Sequence, residues 1–272
     1  MSTMTVPTAV APAPSGSRLR WTLADAATLT WRNLKGLTRI PDAIFFATLQ
    51  PIMFVLLFRF VFGGAITIPG VSYVDYLMPG IFVQTVAFGA VSTAVGLADD
   101  LQKGLIERFR ALPMARSAVL AGRTTADLVR NVFIVTLITV VGYIVGFRIG
   151  TNFGLFLCGA LIVLIFAYSL GWGFATVGLT ASNAETAQVM AFPILFPLTF
   201  ASSAFVPVSS MPGWLQAFAK HQPVTQVVDA ARSLMVGGVT HDTSSIYQAL
   251  AWCAGLLIVL VPLAVSKFRK VG

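Results

Sequence analysis

Charge is scarce in this chain. Asp, Glu, Lys and Arg make up 10% of its 272 residues, where a soluble domain carries about a quarter, and that shortage excludes an ordinary water-facing surface. Cysteine is limited to Cys158 and Cys253. Each stands alone inside an apolar run, which argues against a disulfide or metal pair and leaves both as small packing residues. Histidine is limited to His221 and His241; neither has cysteine or carboxylate at ligand spacing, so both read as loop histidines. The phosphate-cradling pattern G-x-x-x-x-G-K-[ST] is missing, and Gly63-Gly64 and Gly237-Gly238 read as turn glycines with no lysine after them. ATP is therefore not expected to bind to this chain, nor is any cofactor. Acids or histidines clustered at one level of an apolar segment, which an enzyme working inside a membrane needs, are missing too.

What the chain has is apolar length. Hydrophobic residues make up 57% of it and the mean hydropathy is +0.84, which reads as an integral membrane protein. Six apolar stretches stand out, Ala43 to Phe62, Tyr76 to Leu97, Leu128 to Phe147, Phe153 to Leu179, Val189 to Val208 and Ile246 to Val265, each near or above the roughly 20 residues a helix needs to cross the hydrocarbon. The expected fold class is an all-α integral membrane protein with six transmembrane helices, forming one membrane domain over residues 21–266. Residues 1–20 are expected to be a disordered cytosolic tail. Their Pro, Ala, Ser and Thr come with neither a basic n-region nor an apolar h-region, unlike a cleaved signal. Residues 267–272 form a short cytosolic C-terminal tail.

The net charge is +8, but Lys and Arg gather beside the apolar stretches and not on one soluble face, which excludes nucleic acid as a partner. Arg18, Arg20, Arg32, Lys35 and Arg39 precede the first stretch; Lys103, Arg108, Arg110, Arg116 and Arg123 follow the second; Lys267, Arg269 and Lys270 follow the sixth. By the positive-inside rule both termini are expected in the cytosol. The other side is assigned Arg148, Lys220 and Arg232.

Three segments between the stretches carry helical patterns. Leu23, Ala27, Trp31, Leu34 and Leu37 form a stripe opposite Asp25, Thr28, Arg32, Lys35 and Arg39, which suits an interfacial amphipathic helix in contact with membrane lipid. In the charged island 99–123, Leu101, Leu105, Phe109 and Leu112 share one helix face and Pro113 stops the helix. Such a helix either floats in the headgroups or sits in a protein socket. Both signs of charge, with Asp99 and Asp100 ahead of the helix, favour the socket. In residues 209–242, Trp214, Leu215 and Phe218 form one short apolar helix, and Val224, Val227, Val228, Ala231, Leu234 and Met235 form another. Pro207, Pro212 and Pro223 punctuate the region, which reads as a re-entrant hairpin on the outer side or as helices lying flat on the outer leaflet.

Inside the spans a few residues stand out as candidates for a substrate path or gating. Arg59 is a full charge in an apolar stretch, and an intramembrane ion is a functional candidate by default; it also lies near enough to the span end to snorkel. Gln50 and Pro51 interrupt the same helix, and Pro193 and Pro197 interrupt the fifth. Gly142 and Gly146 form G-x-x-x-G, and Gly171, Gly173 and Gly178 line the fourth stretch, as close helix packing requires.

These residues resemble the permease subunits of type-2 ABC exporters, in the daunorubicin-resistance branch. The run from Trp31 to Gly64 resembles that family's connecting helix and first span, and Tyr73 to Val129 its second span and coupling segment. Phe205 to Leu234 resembles its outer hairpin. Glu107-Arg108-Phe109 with Leu112-Pro113, and Met211-Pro212-Gly213-Trp214, are the most specific pieces. The chain departs from the family at Gln222-Pro223, commonly Asn-Pro, and at Arg59, where a neutral or aromatic residue is usual. The resemblance implies a multi-pass protein of the bacterial cytoplasmic membrane in which two six-span chains, expected to be identical, face each other. Two separate ATPase subunits, which use ATP and Mg, would dock below. It also implies that Leu105 to Pro113 is the coupling helix, with Glu107, Arg108 and Phe109 meeting the ATPase, and that a hydrophobic or amphipathic compound (a drug, antibiotic or lipid) is exported.

A proton-driven antiporter and a non-transporting scaffold are the alternatives. The first needs ionisable residues along a path, and Asp75, Asp127 and Glu185 read as span-end residues, which argues against it.

Overall fold

The computed structural model describes residues 18–37, 41–66, 68, 70–105, 116–237 and 243–270. Within them all regular structure is helical. Helix α1 (Arg18–Leu37) leads to α2 (Pro41–Leu56), which continues as a π-helical turn over Leu57–Phe62. Helices α3 (Tyr73–Gly89) and α4 (Val91–Gln102) are separated by one residue, and α5 (Arg116–Val145), α6 (Phe153–Gly178) and α7 (Ala184–Phe200) follow. A short pair, α8 (Gly213–His221) and α9 (Pro223–Met235), precedes α10 (Thr243–Lys270).

Four helical stretches are long and apolar enough to cross a membrane: Tyr73–Gln102, Val119–Val145, Phe153–Gly178 and Thr243–Lys270. The apolar helices Ala47–Phe62 and Ala184–Phe200 are shorter, about 24–26 Å at 1.5 Å per residue, against roughly 30 Å of hydrocarbon.

Helix α3 is apolar around most of its circumference apart from Asp75, Gln84 and Thr85, and such a helix is buried on nearly every side; it runs through the centre of the bundle. Its start is capped by Ser72, whose hydroxyl oxygen accepts from the Asp75 amide at 3.2 Å. Gly80 lets another segment come close, because a Cβ there would strike the Ala204 backbone. At Ala90 the N–H is shared between the carbonyls of Val86 and Ala87, and this tightened turn divides α3 from α4. Helix α4 meets α6 where Gly178 faces the Ala94 backbone, the close packing expected of that glycine. Gly146 behaves otherwise. It lies one residue beyond α5 with φ +111°, and the amides of Gly146 and Phe147 bond the carbonyls of Tyr143 and Gly142. That is a Schellman stop, for which glycine is chosen because it alone takes positive φ without a Cβ clash; Gly146 is not half of a packing motif.

At the end of the bundle that holds α1, a second apolar cluster gathers Leu29, Leu97, Leu120, Trp172 and Phe268. Helix α1 lies along α5, where a Cβ on Gly122 would strike Leu29 and Thr30 Oγ1 donates to the Gly122 carbonyl at 3.2 Å. The anchor is Leu29, outside the expected stripe, while Trp31 is 70% exposed.

The opposite end is built by α8 and α9. The fifth apolar stretch, expected to reach Val208, stops as a helix at Phe200. The reason lies in the hairpin: Gln222 Nε2 donates to the carbonyls of Leu198 at 2.9 Å and Ala201 at 3.3 Å, so the last carbonyls find partners without more helix. The same side chain accepts from the Val224 amide at 3.0 Å and caps α9. Helix α9 is buried among α3, α6 and α10, not laid flat, whereas α8 stays exposed, with Trp214 at 77%. Cys253 is packed as expected; Cys158 lies on an exposed face. His221 ends α8 with its ring bonded to the Ala217 carbonyl, and His241 lies outside the described residues.

Candidate functional site

A cavity of about 450 Å³ opens between α2, α3, α4, α5 and α7, within the usual size of a small-molecule site. Of the residues singled out in the spans, Gln50 and Pro51 line it. Arg59, Pro193 and Pro197 do not. Arg59 lies in the π-helical turn, its guanidinium carbon 6.0 Å from the Phe60 ring centroid. Both prolines are exposed on α7, and it is Phe192, Phe196 and Phe200 of that helix that line the cavity.

Arg130 lines the cavity floor, and its ion pair with Asp127, which lies behind that floor and lines the charged cleft at the α1 end, contradicts two expectations. Asp127 was read as a span-end residue and Arg59 as the one ion well inside a span, but α5 starts at Arg116, so Asp127 and Arg130 both lie inside the apolar stretch Val119–Val145. Arg130 Nη1 is 3.4 Å from Asp127 Oδ1, one turn apart. Arg130 also donates to the Gly89 carbonyl at 2.7 Å and to the Ser92 hydroxyl. Asp127 accepts from Thr93 Oγ1 at 2.5 Å and Ser92 Oγ at 3.3 Å. The pair thus grips the turn between α3 and α4 from α5. A carboxylate held this way is not the open proton site an antiporter needs.

Phenylalanines continue from the cavity toward the hairpin. Phe88 approaches Phe192 and Phe196 with centroids 6.3 and 5.8 Å apart. Phe196, Phe200 and Phe205 stack in sequence at 5.3 and 5.4 Å, and Phe205 stacks on Phe58 at 4.5 Å. These are the offset and edge distances at which aromatic pairs attract.

Beyond that row, Arg232 closes the hairpin end. It was assigned to an outer loop, yet it is 5% exposed, with its guanidinium 3.7 Å from the Tyr76 ring centroid. Its nitrogens donate to the Tyr76 carbonyl (3.2 Å), Asp229 Oδ1 (2.7 Å) and the Ser203 carbonyl (2.8 Å). Ser203 Oγ donates to Asp229 at 2.7 Å and Tyr76 Oη to the Ser203 carbonyl at 3.1 Å. Sequence reasoning missed this network and the Asp127–Arg130 pair alike. One signal marks both: Asp-x-x-Arg within a helix-patterned apolar run, as Asp127-Leu128-Val129-Arg130 and Asp229-Ala230-Ala231-Arg232.

At the α1 end lies a second, charged cleft, lined by Arg32, Asp100, Leu105 and Arg123 among others. Asp100 pairs with Arg123 at 3.1 Å and, more distantly, with Arg32 at 3.9 Å. Lys103 Nζ donates to Asp99 at 2.7 Å, and this hydrogen bond and charge hold the lysine ammonium above its ordinary pKa. Both acids expected ahead of a socket are therefore engaged within the chain. Leu105 is half-buried at the edge of the cleft; Glu107, Arg108, Phe109, Leu112 and Pro113 lie outside the described residues.

The family model for the ABC-2 type transporter matches residues 25–236. The daunorubicin resistance ABC transporter permease protein DrrB1 of Streptomyces coeruleorubidus is 35% identical over 262 residues, covering 94% of this chain and 90% of that protein. A probable doxorubicin resistance ABC transporter permease protein, DrrC, of Mycobacterium tuberculosis is 28% identical over 226 residues, 82% of this chain and 80% of its own. The putative transport permease ycf38 of Pyropia yezoensis is 25% identical over 237 residues, 82% and 78%. With the match running from α1 to the end of α9, the chain belongs to the ABC-2 type transporter family.

Proposed function

We propose that this chain is the membrane-spanning subunit of an ATP-driven exporter that moves a hydrophobic or amphipathic drug out of the cell, with ATP hydrolysed on separate subunits. The observation that carries this reading is a permease-family match over most of a chain that has no phosphate-binding loop of its own. The relatives named for daunorubicin and doxorubicin resistance make such compounds the first substrates to try. The cavity beside the aromatic row is the substrate path, and Gln50 and Pro51 are part of its wall.

The six apolar helices, α2, the joined α3 and α4, α5, α6, α7 and α10, each cross the membrane, the two short ones with local thinning or flanking residues at the interface. Both termini and residues 99–123 face the cytosol of a bacterium, and α8 and α9 face outward. Two such chains stand together through α2 with its π-helical turn and α7, where Met53, Phe60, Val189 and Ile194 are exposed, and two ATPase subunits dock at the coupling segment. There Glu107, Arg108, Phe109, Leu112 and Pro113, with Leu105 at the cleft, form the contact that carries ATPase closure to α4 as a rigid-body movement.

Daunorubicin uptake into inverted membrane vesicles tests the reading. Uptake should need ATP, this chain and a co-expressed ATPase subunit together. Uptake driven by a pH gradient without the ATPase would replace it with the antiporter. For the orientation, a single cysteine at position 220 should react with an impermeant reagent in intact cells and one at position 110 should not.

A further inference from the structure

Gln84 stands in the wall of the cavity on α3. It is 2% exposed, and neither its amide nitrogen nor its oxygen hydrogen-bonds to any group among the described residues. Its neighbour Thr85 is 9% exposed, lines the same cavity, and has an equally unpartnered hydroxyl. Unpaired buried polar groups are unfavourable for folding, so a leucine and a valine here would serve a purely structural role better. Two adjacent exceptions in one cavity wall point to a ligand that supplies the missing partners. A glutamine amide and a threonine hydroxyl each donate and accept, and they match a molecule with carbonyl and hydroxyl groups side by side.

The charges of the cavity narrow the class further. Arg130 is committed to Asp127, Ser92 and the Gly89 carbonyl, and Asp127 to Arg130, Ser92 and Thr93. Arg130 Nε has no partner among the described residues, but the guanidinium charge is neutralised by Asp127, so the cavity presents no net charge to an anionic headgroup or to an ammonium. Besides Gln50, Gln188 and a few aliphatic residues, the remaining wall is aromatic, with Phe54, Phe88, Phe192, Phe196 and Phe200 all lining the cavity. Such rings hold a flat π-system better than they hold an acyl chain.

We infer that Gln84 and Thr85 are the hydrogen-bonding contacts for an uncharged, flat aromatic portion of a ligand, whose rings lie against these phenylalanines and whose carbonyl and hydroxyl edge meets the two side chains. This rests on the exporter reading and narrows its substrate from any amphipathic compound, lipid included, to one chemical class.

The full chain in lipid nanodiscs, corrected for uptake by empty nanodiscs, provides the test by equilibrium fluorescence. The probes are 1,4-dihydroxyanthraquinone, anthracene and anthraquinone-2-sulfonate. The dihydroxy compound should bind at least about tenfold more tightly than anthracene, because a site built to hydrogen-bond rejects the analogue that lacks the groups. Gln84→Leu should erase most of that preference without weakening anthracene. Thr85→Val, nearly isosteric, should reduce it as well and carries the test if the first variant does not fold. Absence of saturable binding of the dihydroxy compound to the parent chain overturns the inference, as does equal binding of the two neutral probes, tightest binding of the sulfonate, or a preference that survives the substitutions. Binding needs no ATP or ATPase, so its failure is distinct from failure of ATP-driven uptake.

Discussion

At the hairpin end Arg232 is buried with an acceptor for each of its bonding nitrogens, while in the cavity wall Gln84 is buried just as deeply with no acceptor or donor. Burial alone therefore does not tell a structural polar residue from one that serves a ligand; the state of its hydrogen bonds does. Around Arg232 the polar groups satisfy one another and fix α9 against α3 and the end of α7. Around Gln84 they wait on a partner from outside the chain. The Asp127–Arg130 pair is closer to the first kind although it lies beside the cavity, because the two charges pair with each other and Arg130 donates to the Gly89 carbonyl, leaving only its Nε without a partner among the described residues.

The comparison breaks most visibly at Arg232. Arg232→Met should leave Asp229 and the Ser203 carbonyl without their cation, and removing one member of a buried pair costs about 3–5 kcal/mol. Asp229 is 38% exposed, so the lower figure, about 3 kcal/mol, is expected after allowing for solvent. A clear fall in the Tm of the purified chain checks this. The second pair sharpens the same contrast: Asp127→Asn should cost about 2 kcal/mol, less than Arg232→Met, because Arg130 keeps the Gly89 carbonyl and the Ser92 hydroxyl. A larger Tm loss than at Arg232 would mean that the cavity floor, not the hairpin, is the principal brace.

Away from both regions, Phe109→Ala should weaken ATPase binding by about 2 kcal/mol, the loss typical of a central aromatic at an interface, with Tm unchanged. Retention of the ATPase on the tagged chain through washing measures it. The smallest effect is expected at Trp214, exposed on α8: Trp214→Ala should change stability by less than about 0.5 kcal/mol and leave transport at the parental rate, showing that the hairpin acts through α9.

Apolar periodicity made the long helices legible, and of the glycines of α6 Gly178 is the packing site that was expected, where it meets Ala94, while Gly171 has only ordinary contacts. Two ends were less legible. Helix α5 begins well before the apolar stretch that marks it, since its first turns lie against α1 and α4 and tolerate Arg123, Asp127 and Arg130 through pairing with residues about 23 to 41 positions away in sequence. Helix α7 ends before its apolar stretch does, because Gln222 from the hairpin caps it. Gln50 and Pro51 stood out because they break an apolar run, and both line the cavity. Gln84 and Thr85 went unread, since one uncharged polar pair changes neither the hydropathy nor the period of α3, and only the fold shows that both side chains lack partners.

Drug transport by the complex of this chain with its ATPase subunits, measured for the parent and for Gln84→Leu in parallel with Tm, is the most direct test of the claim that the unpartnered polar groups serve a substrate. Gln84→Leu removes a buried group with no partner, so Tm should hold or rise, by up to about 1 kcal/mol in stability, while ATP-driven uptake of daunorubicin falls severalfold. Uptake at the parental rate with Tm unchanged would contradict the account, as would a Tm drop comparable with that of Arg232→Met, which would make Gln84 a structural residue like Arg232.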